Sequence, residues 1–549
     1  MSKITQYLNE HLLGEVTSND SVREQFSCDG SILRIKPEMV ISPRITNDIR
    51  KVARFTWQLA EKGQVIPITT RGGGSDKTGA SIGKGIIINT LAHLNKIIYV
   101  STKSKDQFVH VQPGVNFRLL NETLKSHGLI IPSYPNSADY STVGGSVANN
   151  YRGPLSGNFG SVGDAVKRLE VVLSNGDIIE TIRINKHELD KKKGLQTFEG
   201  ELYRKIDGII EDGQTVIDEK IAKKPSDNTV HSGIAKVKQR DGSFDLTPLL
   251  IGSQGTLGII SEIVLKTDFN NLEESIIVTA FDNPRIARDA ANQIIQLSPV
   301  SLDYLDGSLF EIANKNYGKK YILTDKNPDK TIGAVLYICF NDFSEGARRR
   351  KVKQTLKKLT ALDTSVNIFT NNEYSNEELI AIREVNSVIL QPEHNGESYP
   401  PLIDGSSISI DKREEFIVSV KELADKHHID LPLQINWLNG IINTRALLQL
   451  HAVSDKQRAF KLITDYMQLV AQMDGCMLAD SSEGRLKVSA VNSQLDDDVI
   501  KIYEQVREAF DPFGTLNPGV KQKSDLKSLI SQLNPDYSLA DFAKYSPKS

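Results

Sequence analysis

From Thr46 onward apolar residues recur at helical spacing. Ile49, Val52, Ala53, Trp57 and Ala60 share one face, and Gly63 ends the run. Val65–Ile68 then reads as a short strand entering a glycine loop, and Gly85–Asn89 as a second apolar strand. A helix is predicted after Pro113-Gly114, with Leu119, Leu120 and Leu124 on one face and Gly128 at its end. Leu169–Leu173 and Ile178–Ile182 flank Asn175-Gly176, a two-residue hairpin signal. Ile251–Leu265 carries Gly252, Gly255 and Gly258 into a strand rich in Ile and Val. Strands and helices mix here without a regular βαβ repeat, so an α+β domain is expected rather than a doubly wound sheet. Residues 183–246 are more charged and mostly helical in pattern, and read as a peripheral excursion.

Near Thr267 the glycine density falls. Strand patterns (Ser275–Ala280, Gly333–Phe340, Ser407–Ile410) then alternate with amphipathic helices (Arg285–Leu297, Ala347–Leu359, Arg413–His427). This predicts a second α+β domain. The expected division is an N-terminal helical segment over 1–35, a first domain over 36–268, a second over 269–475, and a closing segment over 476–549. From Ser524 the tail is polar, with a weak final helix.

Composition narrows the function classes. Lys and Arg total 66 against 69 Asp and Glu, which gives no nucleic-acid signature. Cys28, Cys339 and Cys476 lie far apart with no C-x-x-C pair, so neither an iron–sulfur nor a zinc-ribbon site is indicated. The N-terminus MSKITQYLNEHLLGEV lacks a signal-peptide core, and no run approaches the ~20 apolar residues of a membrane span. Cytoplasmic residence is expected. The basic stretch Arg348–Lys358 reads first as a solvated helix face; the other reading is weak peripheral contact with anionic lipid or an acidic redox partner.

Three glycine-rich segments carry the candidate chemistry: Arg71–Gly79, Thr142–Gly153 and Gly252–Gly258. Glycine lets a ligand approach backbone N–H groups, and successive N–H groups form a nest for a pyrophosphate. Two rival motifs fail. The P-loop needs lysine where Ala80 stands, and residues 75–83 do not open the helix that a Rossmann fingerprint requires.

Five landmarks occur in order: RGGGS at 71–75, VQPGV at 111–115, PNSADYSTVGGSVANN at 135–150, IGSQGTLGIISE at 251–262 and DPFGTLNPG at 511–519. This set resembles the FAD-linked oxidases of the vanillyl-alcohol oxidase / p-cresol methylhydroxylase type, and within them the D-lactate dehydrogenase / glycolate oxidase flavoprotein group. The resemblance implies a two-part FAD-binding domain of p-cresol methylhydroxylase type, an α+β substrate (cap) domain, and a C-terminal segment returning to the flavin. Arg71 opens the first loop, and Gly72, Gly73, Gly74 and Ser75 would hold the pyrophosphate. Ser137, Thr142, Gly144 and Gly145 would line the flavin and its ribityl chain, with Asn150 and Gly153 continuing that block. Gly255, Thr256, Gly258 and Ile260 would pack around the adenine, and Asn517 would return to the flavin. Loop 71–79 contains no histidine, so a non-covalent FAD is expected.

The group oxidises 2-hydroxy acids such as D-lactate or glycolate. A hydride passes to flavin, a base takes the hydroxyl proton, and an arginine grips the carboxylate. Arg383 falls where that arginine is often found; its plainer reading is a helix-surface ion pair. The group's metal-binding H-x-G-D-G-x-x-H segment corresponds to Asn436–Asn443, where asparagine replaces both histidines and the aspartate. Amides are poor transition-metal ligands, so no bound zinc or manganese is expected. The group's G-E-H-G-I-G-R-L-K segment corresponds to Ala479-Asp480-Ser481-Ser482-Glu483-Gly484-Arg485-Leu486-Lys487, which puts Ser481 at the position of the histidine base. Asp480 or Glu483 are candidate substitutes and Lys487 a candidate substrate contact, against a reading as ordinary loop residues. His394 reads as a loop histidine or a pocket residue, and His427-His428 as structural at a helix end.

The expected function is therefore an FAD-dependent oxidoreductase acting on the CH–OH group of a small substrate. Its electron acceptor would be oxygen, a quinone or a redox protein. A sugar-alcohol or lactone oxidase of the same superfamily, and a non-catalytic flavin-binding partner or electron relay, stay open as alternatives.

Overall fold

The computed structural model of the chain describes residues 2–103, 105–223, 227–271, 273–325, 331–363, 366–386, 398–450, 452–523, 526–534 and 537. Among the described residues three larger sheets organise it, beside a two-stranded pairing of Leu129–Ile130 with Asp268–Phe269. The first has four strands in the order Glu15–Thr17, Met39–Ser42, Ile86–Asn89, Ile68–Arg71. The last three of these run parallel, and Glu15–Thr17 joins antiparallel. Helix Thr46–Ala60 crosses from Met39–Ser42 to Ile68–Arg71, burying Ile49, Val52, Ala53 and Ala60 against the sheet. This is one split βαβ unit, not a repeat. The N-terminal segment is not purely helical: after helix Ser2–His11 it supplies the edge strand Glu15–Thr17.

The second sheet is five-stranded and antiparallel, in the order Ile97–Ser101, Phe108–Val111, Ile259–Lys266, Val166–Val172, Ile178–Thr181. Its central strand is Ile259–Lys266, the apolar run that follows the third glycine segment. Helix Phe117–Lys125 buries Phe117, Leu120 and Leu124 on this side. Leu119 is 57% exposed, not on the core face, because Phe117 takes the place assigned to it.

Residues 183–246 are not peripheral. Helix Phe198–Asp212 buries Leu202, Tyr203, Ile206 and Ile210 in the same core as the five-stranded sheet, against helix Asp497–Phe510. Fully burying such side chains contributes about 1.5–3 kcal/mol each. The surface charge of 183–246 masks this face in a composition count.

The third sheet has seven strands, all antiparallel: Asn367–Thr370, Ser275–Phe281, Ala334–Phe340, Ser301–Asp306, Leu433–Asn436, Ile441–Thr444, Ser406–Ser407. Ala334–Phe340 is buried along its whole length, as expected of a strand covered on both faces. Helices Pro284–Ile294, Glu345–Leu362, Arg413–His427 and Val453–Gln472 pack on it. The strand expected over Ser407–Ile410 is only Ser406–Ser407, since Ile410 already starts a 3-10 turn. After residue 476 the chain returns to the first domain through helix Asp497–Phe510 and then residues 515–521, where Ile68 N–H donates to Thr515 O at 2.8 Å.

Candidate active site

Strand Ile68–Arg71 delivers the first glycine loop to the rim of a cleft. Gly72, Gly73, Gly74 and Ser75 line one wall, Thr142, Gly144 and Gly145 a second, and Gly255, Gly258 and Ile260 a third. The first two walls almost touch. A Cβ on Gly73 would lie 2.0 Å from the Tyr140 carbonyl oxygen, so no larger residue fits without moving backbone. Among the described residues that line it, only Asp76 and Tyr151 are ionisable, and Asp76 is occupied structurally: its carboxylate accepts from Thr78 N at 2.9 Å and Ala80 N at 2.7 Å. Burial raises its pKa against those bonds. The cleft therefore offers backbone, hydroxyls and small apolar side chains. Buried Thr70 Oγ1 on its lining has no hydrogen-bond partner among the described residues. That surface suits a dinucleotide held through its pyrophosphate by neutral dipoles.

Several expected cofactor contacts lie elsewhere. Arg71 is buried behind the loop, donating to Cys28 O at 2.7 Å and standing over the Phe26 ring at 5.3 Å. Thr256 tightens its own turn through Ser253 O at 2.7 Å. Asn150 adopts a left-handed conformation at a helix end, φ 51°, and its side chain accepts from Gly163 N at 3.1 Å. Asn517 is fully buried. It donates to Ala80 O at 2.7 Å and Gln254 O at 2.8 Å, and accepts from Thr69 Oγ1 at 3.0 Å and Arg485 Nη2 at 2.9 Å. It clamps the first and third glycine segments from behind, outside the cleft lining.

Ser137 and Gly153 line a neighbouring pocket. Tyr151 lines both spaces, and the hydroxyls of Ser75, Ser141 and Ser137 run from one to the other at 3.0 and 2.7 Å. This second pocket is strongly polar. It is lined by Lys77, Arg152, Arg383 and Arg445, and by Asp303, Glu384 and Asp480.

Arg383 ends helix Asn376–Arg383 and is nearly buried, its guanidinium 5.1 Å from the Tyr337 ring centre. Burial opposes its charge, but Tyr337, Tyr134, Asp303 and Glu384 outweigh burial and raise its pKa. It is not a surface residue. Asp303, on strand Ser301–Asp306, is pushed up to about 6 by burial, against Arg383 and a 2.7 Å bond from Ser301 Oγ. Burial raises Asp480 too, against Lys77, Lys487 and Arg152.

The altered motifs are now placed. Asn436 and Asn443 line the pocket. Asn436 accepts from Leu438 N at 3.1 Å and donates to Pro154 O at 3.3 Å, using both ends of its amide. Among the described residues no three His, Cys, Asp or Glu cluster as a metal site. Ser481 is half-buried but outside the pocket lining. Glu483 points away: it pairs with Lys521 at 2.8 Å and accepts from Val230 N at 2.9 Å. Lys487 lies behind the wall, donating to Asp404 O at 2.7 Å. Of the residues singled out for catalysis, only Arg383 and Asp480 meet in the pocket.

His394 lies outside the described residues. His427 is buried with Nε2 2.9 Å from Asp465. On helix Glu345–Leu362, Arg348 and Lys351 are tied to the 342–343 segment, whereas Arg349 is 79% exposed.

Lys77, Arg152, Tyr151, Asp303 and Arg445 escaped the sequence reading. Lys77, Tyr151 and Arg152 sit inside the glycine blocks, where attention to the charged and aromatic interruptions would find them. Asp303 and Arg445 have no local signal, because they converge from a strand and a connection far apart in sequence.

A glycine-walled cleft beside a strongly polar pocket, on these sheets, is the arrangement of an FAD-binding protein of the p-cresol methylhydroxylase type. The structure resembles p-cresol methylhydroxylase with a TM-score of 0.68 at 12% identity, covering 95% of this chain and 96% of that one. It resembles 4-ethylphenol oxidase from Gulosibacter chungangensis with a TM-score of 0.67 at 14% identity, covering 96% and 98%. Residues 37–182 match the FAD binding domain family, and residues 272–520 the C-terminal domain of FAD linked oxidases. The chain belongs to the FAD-linked oxidases, and FAD is its cofactor. D-2-hydroxyglutarate dehydrogenase of Pantoea ananatis is 24% identical over 92% of this chain and 50% of its own length. Glycolate oxidase subunit GlcD of Bacillus subtilis is 22% identical over 90% and 91%. The chain thus spans about half the length of the D-2-hydroxyglutarate dehydrogenases it matches, and nearly all of the glycolate oxidase subunit. Among the described residues no helix is long and apolar enough to cross a membrane.

Proposed function

We propose that this protein oxidises a small 2-hydroxy acid, passing a hydride from carbon 2 to FAD. The observation that carries this reading is the shared wall at Tyr151. It joins a neutral, glycine-lined cleft suited to a dinucleotide to a cationic pocket containing Arg383. A guanidinium held rigid by an aromatic ring and flanking oxygens grips a carboxylate in a fixed plane, which orients the neighbouring C–H. The relatives named for D-2-hydroxyglutarate, D-lactate and glycolate support the same substrate class. Two relatives are named D-lactate dehydrogenase [cytochrome], which favours a redox protein over oxygen as the electron acceptor.

The test is anaerobic mixing of the holoprotein with 2-hydroxy acids, polyols and lactones while the flavin absorbance is followed. Bleaching by 2-hydroxy acids is expected. In Arg383→Met the concentration giving half-maximal bleaching should rise about 10- to 100-fold, the loss of one charge-assisted contact pair. Bleaching by polyols or lactones alone would favour the reading that the asparagines at 436 and 443 support, another substrate of the same superfamily. No bleaching by any class, with normal reduction by dithionite, would favour an electron relay.

A further inference from the structure

With Ser481 outside the pocket lining and Glu483 paired with Lys521, two of the residues considered for taking the hydroxyl proton are out of place. No histidine is among the lining residues described. The ionisable groups that do line the pocket are Lys77, Tyr151, Asp303, Glu384 and Asp480 with three arginines. An arginine does not give up its proton near neutral pH. Burial pushes the Tyr151 phenol well up. Asp303 accepts from Ser301 and faces Arg383, on the side that would hold the substrate carboxylate. Glu384 is the exposed partner of Arg383 at 3.6 Å. A carboxylate accepts a proton only as an anion, and at Asp303, Glu384 or Asp480 that anion would face an anionic substrate, a repulsion that a neutral amine avoids.

We propose that Lys77 Nζ takes the substrate's hydroxyl proton. Lys77 is two residues beyond Ser75, so a single loop lines the cofactor cleft with one end and the substrate pocket with the other. It therefore stands at the junction where hydride transfer has to occur. Its side chain keeps 28% exposure, and its nearest carboxylate oxygen is Asp404 Oδ2 at 3.8 Å, a buried atom with no hydrogen-bond partner. Once protonated, the ammonium has Asp404 and Asp480 to receive its charge. Burial and Arg445 push the pKa of Lys77 down to about 8, with Asp480 and Asp76 opposing. The neighbouring Lys487, also pushed down to about 8, adds a like charge behind the wall. An amine near this value is a serviceable base at neutral pH.

The step balances as follows. The C2–H bond breaks and hydrogen leaves with the electron pair to oxidised flavin. The O–H bond breaks, its proton goes to Lys77 and its electron pair becomes the second bond of the new carbonyl. The products are a 2-oxo acid, two-electron-reduced cofactor and a lysine ammonium.

The inference rests on the proposed function, and the experiment separates the two. In the holoprotein, the wild-type rate of anaerobic bleaching should rise with pH to a plateau above about 8. Lys77→Met and Lys77→Arg should bleach about 10²–10⁴-fold more slowly, with an unchanged flavin spectrum and no such rise. Ethylamine should restore part of the rate in Lys77→Ala. Independently of turnover, the dimethylated Lys77 carbon-13 signal should titrate between about pH 7 and 9. Variants within about threefold of wild type, or a pH rise that persists without Lys77, would overturn the inference. If only polyols or lactones bleach the wild type, the substrate reading fails and Lys77 is judged with that substrate. If nothing bleaches it, a Lys77 signal that does not titrate between pH 7 and 9 overturns the assignment.

Discussion

Replacing Lys521 with methionine removes one half of an ion pair whose two side chains are both 0% exposed. Lys521 Nζ donates to Glu483 Oε2 at 2.8 Å and to Asn228 O at 3.3 Å. After the substitution Glu483 keeps the Val230 N–H at 2.9 Å but loses its countercharge. Methionine fills most of the lysine volume, so the expected loss is electrostatic. Stranding one charge of a buried pair costs about 3–5 kcal/mol. Removing both charges in Lys521→Met with Glu483→Gln should recover most of that, to within about 1–2 kcal/mol of wild type, since the amide still accepts from Val230. The pair ties the segment after Asn517 to both the 228–230 turn and the 483–487 segment. Flavin should therefore be released together with global unfolding. The assay is urea titration followed by far-ultraviolet dichroism and by flavin fluorescence, with the two curves required to coincide before a free energy is read. A single variant destabilised by less than about 1 kcal/mol, or a double variant worse than the single, would refute the reasoning.

Two further outcomes test the site. Gly73→Ala forces a Cβ to 2.0 Å from the Tyr140 carbonyl oxygen, so the first two cleft walls must part; at least tenfold weaker FAD binding (about 1.4 kcal/mol) is expected by fluorescence titration of the apoprotein, and wild-type affinity would contradict the close approach. Asp29 is pushed up to about 7 by burial and by Asp76, against the hydrogen bonds from Ser31 and the charge of Arg71. The folded state thus keeps a proton that the unfolded chain releases near pH 4, and the associated stability is lost as pH rises from about 4 to about 7. Asp29→Asn stays neutral, so its melting temperature should gain on wild type between about pH 4 and 7, by an amount equivalent to at most about 4 kcal/mol; a constant difference across that range would count against the shift.

Much of the fold was legible because local signals agreed with burial. The helix from Thr46, the Asn175-Gly176 hairpin and the helix Arg413–His427 follow from spacing and turn chemistry. The expectation that 183–246 is peripheral failed because composition averages over all helix faces, whereas Leu202, Tyr203, Ile206 and Ile210 share one. Ordered glycine segments pointed to FAD, but could not separate residues facing the cleft from residues bracing it. Arg71 and Asn517 belong to the second kind, and their hydrogen-bond partners lie up to 448 residues away in sequence.

By itself the sequence determined the cofactor class, through glycines whose missing side chains let two walls approach each other. It also determined the absence of the family's histidines, which is a matter of residue identity. Only the tertiary structure decided which charged groups share the pocket. Lys77, Asp303, Arg383, Arg445 and Asp480 come from a loop, a strand, a helix end and two connections spread over about four hundred residues. Their convergence depends on how the seven-stranded sheet docks on the glycine loops, and local patterns carry no information about that. The physical reason is that a pocket's electrostatics depend on distance through space and on burial, neither of which is a property of neighbours along the chain.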